Sequence, residues 1–459
     1  AFGMIGTTFS GVTFISVPGC VGATQFSYFQ MVLGYIAGYT VIALVLMPLY
    51  YRLNLTSIYG FLDQRFGPSS YRTGSFFFMI SRSIGAAFRL YLVAIVFQVF
   101  VFEPFNIPFV LAVVITLALI WIYTHRGGIK TIVWTDALQT SLMLTALVVS
   151  LYYLGQAMNL SAMGLVDQVS QSQYGQVFFF EDYKAANFFP KQFLSGAFIA
   201  IVMTGLDQDM MQKNLSCPNL KDAQKNMFTF TGGLVIVKLV FLVLGALLFL
   251  YANREGISIP DKSDYLYPQL AFEQFPLVVS LVFILGLTAS AYSSADSALA
   301  ALTTAFCVDF LGFERRTINN QLLTRYAVHL GFTGLLLGII LFFHYLNDQS
   351  VISKIFDAAS YTYGPLLGLF SFGLFTSYRP KDRYVPAVCL LSPFLTYLIG
   401  QYAPVFLGGY EIGFELLVVN GLLTFVGLWL LSFYSERPLH DQRAATEAKA
   451  MQEAEQKPV

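Results

Sequence analysis

The sequence has 459 residues, of which 56% are hydrophobic and 11% are charged. Soluble globular domains carry about 25% charged residues, so this deficit, with a mean hydropathy of +0.64, indicates a chain that mostly contacts lipid. The net charge of zero argues against a nucleic-acid-binding surface. Cysteines and histidines are scattered singly, so no zinc site, disulfide framework or metalloenzyme is predicted.

Twelve apolar segments approach or exceed the roughly 20 residues that a membrane-spanning helix needs. The spans are 1–18, 26–50, 73–101, 107–124, 131–156, 192–211, 227–251, 276–308, 321–344, 351–376, 385–400 and 413–434. Two longer connections, at about 157–190 and 252–275, have room for short interfacial helices. We therefore expect an all-α polytopic membrane protein with a transmembrane domain at 1–435 and a polar tail at 436–459.

The basic residues predict an orientation for these spans. With residue 1 on the cytoplasmic side, the cytoplasmic connections hold fourteen Lys and Arg, and the outer connections hold five. The positive-inside rule favours this arrangement. It places the tail in the cytoplasm. We expect an integral protein of the plasma (inner) membrane.

The first span, "GTTFSGVTFISVPG" (6–19), is a poor continuous helix because it combines glycines, Pro18 and β-branched residues. Transporters use broken helices to direct backbone carbonyls at ions and solute near the membrane centre. Residue 1 falls inside the apolar run, so we expect that N-terminal sequence is missing from this chain.

Charged residues inside spans are costly in a membrane and mark functional sites by default. The basic ones are Arg82, Arg89 and Lys238, and the deepest acidic one is Asp136. Asp207, Asp209 and Asp309 lie near predicted cytoplasmic ends, where they either serve a site or pair at the interface.

The sixth span carries Gly196 and Gly205 and ends in the polar stretch "LDQDMM" (206–211). It follows the first span by five helices, which is where an inverted five-helix repeat places its second break. Close helix packing through small residues is the alternative explanation.

Hydroxyl side chains follow one face of the eighth span. Ser290, Ser294 and Ser297, together with Ser293, have the i, i+3, i+4, i+7 spacing of a helical face. Oxygen ligands of this kind suit a small hard cation such as Na⁺. Packing against another helix explains the same pattern.

Four stretches resemble the sodium–solute symporter family. They are "YGFLDQRFG" (59–67), "RGGIKTIVWTDALQ" (126–139), "YSSADSALAALTTAFCVDF" (292–310) and "YGPLLGLFSFGLF" (363–375). The resemblance covers essentially the whole chain. It implies the leucine-transporter-type five-plus-five inverted repeat with additional helices, in which an N-terminal extra helix is absent from this chain.

The resemblance also implies one or two sodium ions. The first would lie between the broken first helix and the eighth helix, where the matching positions are Gly6, Phe9, Ser290, Ser293 and Ser294. A second ion, where family members use one, is held partly by an aspartate of the fifth helix, which matches Asp136.

The solute contacts implied by the resemblance lie on several helices. The candidates are Thr8, Ser10, Thr13, Gln30, Arg82, Arg89 and Lys238. Sialic acid transporters of the family place an arginine in the third helix, but the matching position here is Gly85. Arg82 and Arg89 therefore either bind an anionic solute or pair with acidic residues.

The predicted function is sodium-coupled uptake of a small polar solute by alternating access. Thr8 and Thr13 replace the Asn and Gln of glucose-transporting relatives, which favours an anionic or amphoteric solute such as a sugar acid, carboxylate or amino acid. A neutral sugar or polyol transporter, or a membrane sensor with a transporter fold, is the alternative. The sequence contains no nucleophile–base pair of the kind that would indicate an enzyme. We expect a functional monomer.

Overall fold

The computed structural model describes residues 4, 6, 8–55, 57–124, 129–313, 320–346, 351–410 and 412–433. Within these ranges, only the backbone is described at 123–124, 129–135, 293, 346 and 351–354. The described part of the chain is almost entirely helical, as the composition predicts.

Twelve helical segments, labelled in chain order, make up this part of the chain. They are α1 (Val12–Thr24), α2 (Ser27–Leu53), α3 (Pro68–Phe105), α4 (Phe109–Thr124), α5 (Ile129–Met158), α6 (Phe189–Gly205 with Gln208–Leu215), α7 (Leu220–Glu255), α8 (Leu277–Phe310), α9 (Gln321–Leu346), α10 (Val351–Thr362 with Gly364–Phe375), α11 (Val385–Phe406) and α12 (Leu416–Phe433). Within the described ranges, eight helices are long and apolar enough to cross a membrane, or nine if the bent α6 is one span. Both long connections contain a short helix, Ala162–Ser170 and Leu266–Glu273.

The helix α6 is broken where the sequence predicts. Its long arm ends in a π-helical stretch at Gly205, and its short arm starts at Gln208 after a bend of 68°. The carbonyl groups freed by the break accept hydrogen bonds from two buried tyrosines, Tyr50 to Gly205 and Tyr59 to Leu206, both at 2.9 Å. Irregular backbone at membrane depth needs such partners, because lipid offers none.

The helix α1 is also irregular near its start. Thr8 is helical, Phe9 and Ser10 are not, and a π-helical stretch runs from Val12 to Ser16. A helical break thus opens each of the two five-helix units, α1–α5 and α6–α10. This is the arrangement that an inverted repeat predicts.

Glycines bring α2 and α6 into backbone contact. A Cβ atom on Gly34 would lie 2.0 Å from the Phe193 carbonyl oxygen, and one on Gly196 would lie 2.1 Å from the Met31 carbonyl oxygen. Only glycine permits this approach. Gly196 therefore serves close helix packing, which was the alternative to a helical break in the sequence analysis. The break at 206–207 is a separate feature of the same helix.

The last two helices pack outside the repeats. Asn420 of α12 donates from its side-chain amide to the carbonyls of Ser360 and Tyr361 of α10, both at 2.9 Å. Gly368 of α10 lies directly against Thr424 of α12. These contacts fix α10, whose first arm faces the centre of the bundle.

Candidate functional site

A partly enclosed cavity lies where α1, α2, α3, α6, α7 and α10 meet. Its polar lining consists of Thr8, Ser10, Thr13, Tyr28, Tyr35, Tyr39, Arg82, Arg89, Thr204 and Lys238. Six of the seven residues that the sequence assigns to the solute are in this lining. The breaks of α1 and α6 both border it, with Ser10 lining it on the α1 side and Thr204 and Met210 on the α6 side.

The seventh residue, Gln30, has a different role. Its side-chain amide donates to the Asn187 carbonyl at 2.9 Å and accepts from the Phe179 N–H at 3.1 Å. These bonds hold the 171–188 connection against α2. The structure therefore does not bring Gln30 to the cavity that the other six line.

Arg82 is buried in an ionic cluster at the break of α6. Its guanidinium contacts the Asp209 carboxylate directly and lies 4.0 Å from Asp207. Ser297 of α8 donates to Asp209 at 2.7 Å, and Tyr363 of α10 donates to Asp207 at 2.8 Å. Of the two roles open to Arg82, pairing with acidic residues is the one that the geometry shows, and these aspartates are buried rather than interfacial.

Arg89 lies two helical turns further along α3. It is half-buried, lines the cavity, and makes no hydrogen bond or ion pair in the described part of the chain. Lys238 of α7 donates to Thr13 at 2.8 Å and to the Tyr28 hydroxyl at 3.3 Å. Neither cation is held by a carboxylate here, so both are available to an anionic group in the cavity.

The predicted sodium site lies between α1 and α8. A Cβ on Gly11 would lie 3.8 Å from Ser290 Oγ, so the serine face of α8 meets α1 next to its break. The Ser290 hydroxyl itself donates to the Leu287 carbonyl oxygen at 2.7 Å. One turn further, the buried Ser294 Oγ has no hydrogen-bond partner among the described residues.

An unpartnered buried hydroxyl is costly unless something occupies the space before it. A neutral oxygen of this kind suits a sodium ion, and Phe9, whose carbonyl belongs to the predicted ligand set, is non-helical at the break of α1. Gly6 packs against the Asp136–Thr140 turn of α5, and the Ser293 side chain is outside the described residues. Clusters of three or more His, Cys, Asp or Glu are absent from the described part of the chain.

Asp136 belongs to a second buried ion pair, which lies close to the break of α1. Its side chain is fully buried, and its Oδ2 lies 2.8 Å from Lys213 Nζ at the end of the short arm of α6. A Cβ on Gly6 would lie 2.7 Å from the Asp136 carbonyl oxygen, which places this turn of α5 against the start of α1. The sequence predicted a carboxylate facing the bundle interior but not the lysine that binds it.

Asp309 contributes to structure rather than to the cavity. Its carboxylate accepts hydrogen bonds from Tyr71 and Ser75 of α3 at the end of α8. Of the two roles considered for this aspartate, a functional site or pairing near a helix end, the structure shows the pairing.

Sequence reasoning missed the aromatic wall of the cavity. Tyr28, Tyr35 and Tyr39 of α2 line it together, and their spacing of seven and four residues is that of one helical face. This signal was present in the sequence. Lys213 had no comparable signal, since its pairing depends on the bend of α6.

A family model described as "Sodium:solute symporter family" matches residues 1–379. The chain belongs to the sodium:solute symporter family. It is accordingly an integral multi-pass membrane transporter that uses sodium, and not an enzyme. The family resemblance predicted from four motifs is confirmed.

Three relatives illustrate the range of solutes around this symporter. The chain is 25% identical over 388 residues to the sodium/sialic acid symporter NanT of Aliivibrio fischeri, covering 82% of this chain and 74% of that protein. It is 23% identical over 391 residues to the sodium/sialic acid symporter SiaT of Proteus mirabilis, covering 80% and 75%. It is 24% identical over 378 residues to the human sodium/iodide cotransporter, covering 80% and 57%.

Solved structures show the same fold. A sodium-coupled sialic acid symporter, substrate-bound and outward-open, matches this symporter with a TM-score of 0.80 at 20% identity, covering 95% of this chain and 89% of the other. The nucleobase-cation-symport-1 family transporter Mhp1, closed with bromovinylhydantoin, matches with a TM-score of 0.59 at 13% identity, covering 93% and 90%. The leucine-transporter-type fold predicted from the sequence is confirmed.

Proposed function

We propose that this symporter uses an inward sodium gradient to take up a small organic anion or amphoteric solute, with a sugar acid such as sialic acid as the leading candidate. The observation that carries this proposal is the charge of the cavity. Arg82, Arg89 and Lys238 line it, and none of the described residues in the lining carries a carboxylate. Asp207 and Asp209 behind Arg82 offset two of these three charges, so one positive charge remains for the solute.

Each polar group has a role in this proposal. Arg89 would bind a carboxylate through two parallel N–H donors, a geometry that guanidinium groups favour. Lys238 would donate to the same anion or to a neighbouring hydroxyl, from a position fixed by Thr13 and Tyr28. The hydroxyls of Thr8 and Ser10, beside the break of α1, would bind the polar part of the solute.

Sodium would bind between the Phe9 carbonyl region of α1 and the Ser290–Ser294 face of α8. Because α1 also lines the solute cavity, an ion that fixes the break favours the conformation that binds solute. Closing the outer side of the cavity and opening its cytoplasmic side would then deliver the ion and the solute to the cytoplasm. In this account the tail at 436–459 is cytoplasmic, the protein lies in the plasma membrane, and a monomer is sufficient.

The direct test is uptake of labelled solute by proteoliposomes with an inward sodium gradient, compared with an equal potassium gradient. The solute is first chosen by thermal shift, screening sugar acids, carboxylates, amino acids and neutral sugars in sodium and in potassium. We expect an acid to stabilise the protein in sodium only, and to be accumulated only with a sodium gradient. Equal uptake in both gradients would contradict sodium coupling.

The same screen separates the alternatives. A neutral sugar or polyol that stabilises the protein while every acid fails would identify the other transporter class. A solute that binds with sodium but is never accumulated would identify a sensor. A fusion of alkaline phosphatase or a fluorescent protein after Val459 tests the orientation, since only the fluorescent protein should be active on the cytoplasmic side.

A further inference from the structure

The buried pair of Asp136 and Lys213 lies where the family resemblance places a second sodium ion. The Asp136 side chain is fully buried and that of Lys213 is 8% exposed. Their contact of 2.8 Å joins α5 to the short arm of α6. Burying two charges costs solvation free energy, which the pair recovers only through close contact.

The turn of α5 that carries Asp136 also faces the oxygen-rich part of the bundle. Thr140 Oγ1 donates to the Asp136 carbonyl at 2.7 Å, and a Cβ on Gly6, which precedes α1, would meet both the hydroxyl and the carbonyl oxygen. The serine face of α8 is at the same depth, because α5 and α8 run in opposite directions and Gly286 contacts Ala146. That register brings Ser294, whose hydroxyl has no hydrogen-bond partner among the described residues, level with residue 138 of α5.

We propose that the Lys213 ammonium occupies the second cation position, so that this symporter carries one sodium ion per cycle instead of two. The inference rests on the proposed sodium coupling and specifies its stoichiometry. The ammonium and a sodium ion each carry one positive charge, and Asp136 supplies one negative charge. Both cations beside one carboxylate would repel each other strongly in a medium of low dielectric constant.

A tethered cation differs from a sodium ion because it is never released. It keeps Asp136 neutralised in every conformation in which the short arm of α6 stays beside α5. Removing the ammonium leaves a buried carboxylate next to hydroxyl and carbonyl oxygens, which is a sodium site by its chemistry. The prediction is therefore a gain: a Lys213 variant should acquire a second sodium ion.

The experiment measures radiolabelled sodium bound to purified protein, with no solute required. We expect one ion per wild-type chain and two per Lys213→Ala chain. The double variant Asp136→Asn/Lys213→Ala, which has neither charge, should again bind one sodium ion per chain. Lys221→Ala, which removes an exposed lysine at the start of α7, is the matched control and should stay at one.

Asp136→Asn alone should leave the single wild-type ion bound, since in this account Asp136 does not bind it. If Lys213→Ala does not fold, Lys213→Met keeps the aliphatic stem and replaces it in the series. Two ions on the wild type, or one ion on a folded Lys213 variant, would overturn the inference. Absence of any sodium on the wild type would instead contradict the proposed sodium coupling.

In proteoliposomes the same variants give a second readout. The sodium dependence of uptake should have a Hill coefficient of one for the wild type and above one for Lys213→Ala. The charge moved per solute should rise by one elementary charge in the variant. Unchanged values of both, in a variant that still transports, would count against the second site.

Discussion

Arg82 of α3 and Asp209 of α6 form a buried ion pair at the point where α6 bends by 68°. The pair extends through Ser297 to α8, and through Asp207 and Tyr363 to α10. Four helices that carry the cavity and the proposed sodium site therefore meet at one charged cluster. Arg89, two turns away, takes no part in hydrogen bonds of this kind in the described part of the chain, and the two arginines should behave differently when removed.

Arg82→Ala should reduce the stability of the folded protein. It leaves Asp207 and Asp209 buried without their common cation, and breaking a buried pair from one side costs about 3–5 kcal/mol. Thermal unfolding in detergent should show a clear drop in midpoint. Asp209→Asn in the same background should restore part of it, because it removes one of the stranded charges. An unchanged midpoint for Arg82→Ala would contradict the structural role.

Arg89→Ala should reduce solute affinity and leave sodium binding intact. Hydrogen bonds to a charged group contribute about 1.5–3 kcal/mol, so the affinity should fall about tenfold or more. The checks are solute titration and radiolabelled sodium binding on the same preparation. Arg52→Ala, which removes an exposed arginine at the end of α2, should change neither. Loss of sodium binding together with solute binding would indicate a structural role for Arg89 instead.

Ser294→Ala should weaken sodium binding without destabilising the protein. The hydroxyl is buried with no hydrogen-bond partner among the described residues, so its loss breaks no internal bond. A ligand oxygen contributing about 1 kcal/mol corresponds to about a fivefold lower sodium affinity. Ser392→Ala is the matched control, since Ser392 bonds Thr424 at 2.6 Å in the outer helices. That control should lose stability and keep its sodium affinity, which is the opposite pattern.

The architecture was predictable because lipid imposes simple rules on sequence. Hydrophobic composition predicts a helical membrane protein, and the break in α6 was predictable from Gly205 and the polar stretch after it. The polar lining of the cavity was largely predictable for the same reason, since polar groups inside spans have few alternatives to a cavity.

The remaining features depend on three-dimensional partners that no local pattern specifies. Arg82 and Arg89 are seven residues apart on one helix and look equivalent in the sequence. They differ because the bend of α6 brings Asp209 to one and not to the other. The family resemblance made Gln30 a candidate solute contact, but the connection at 171–188 folds back onto it and occupies both ends of its amide.

Gly34→Ala should destabilise the protein although it adds a single methyl group. The added Cβ would lie 2.0 Å from the Phe193 carbonyl oxygen, which belongs to the backbone of α6 and has no rotamer to move. Overpacking of this kind costs about 1–3 kcal/mol and would push the long arm of α6 away from α2. Gly85→Ala is the matched control, since a Cβ there meets nothing within 4 Å. Thermal unfolding should show a lower midpoint for Gly34→Ala only, because alanine at the control position gains about 1 kcal/mol of helix propensity over glycine. Equal midpoints for the two variants would mean that α2 and α6 are not in backbone contact.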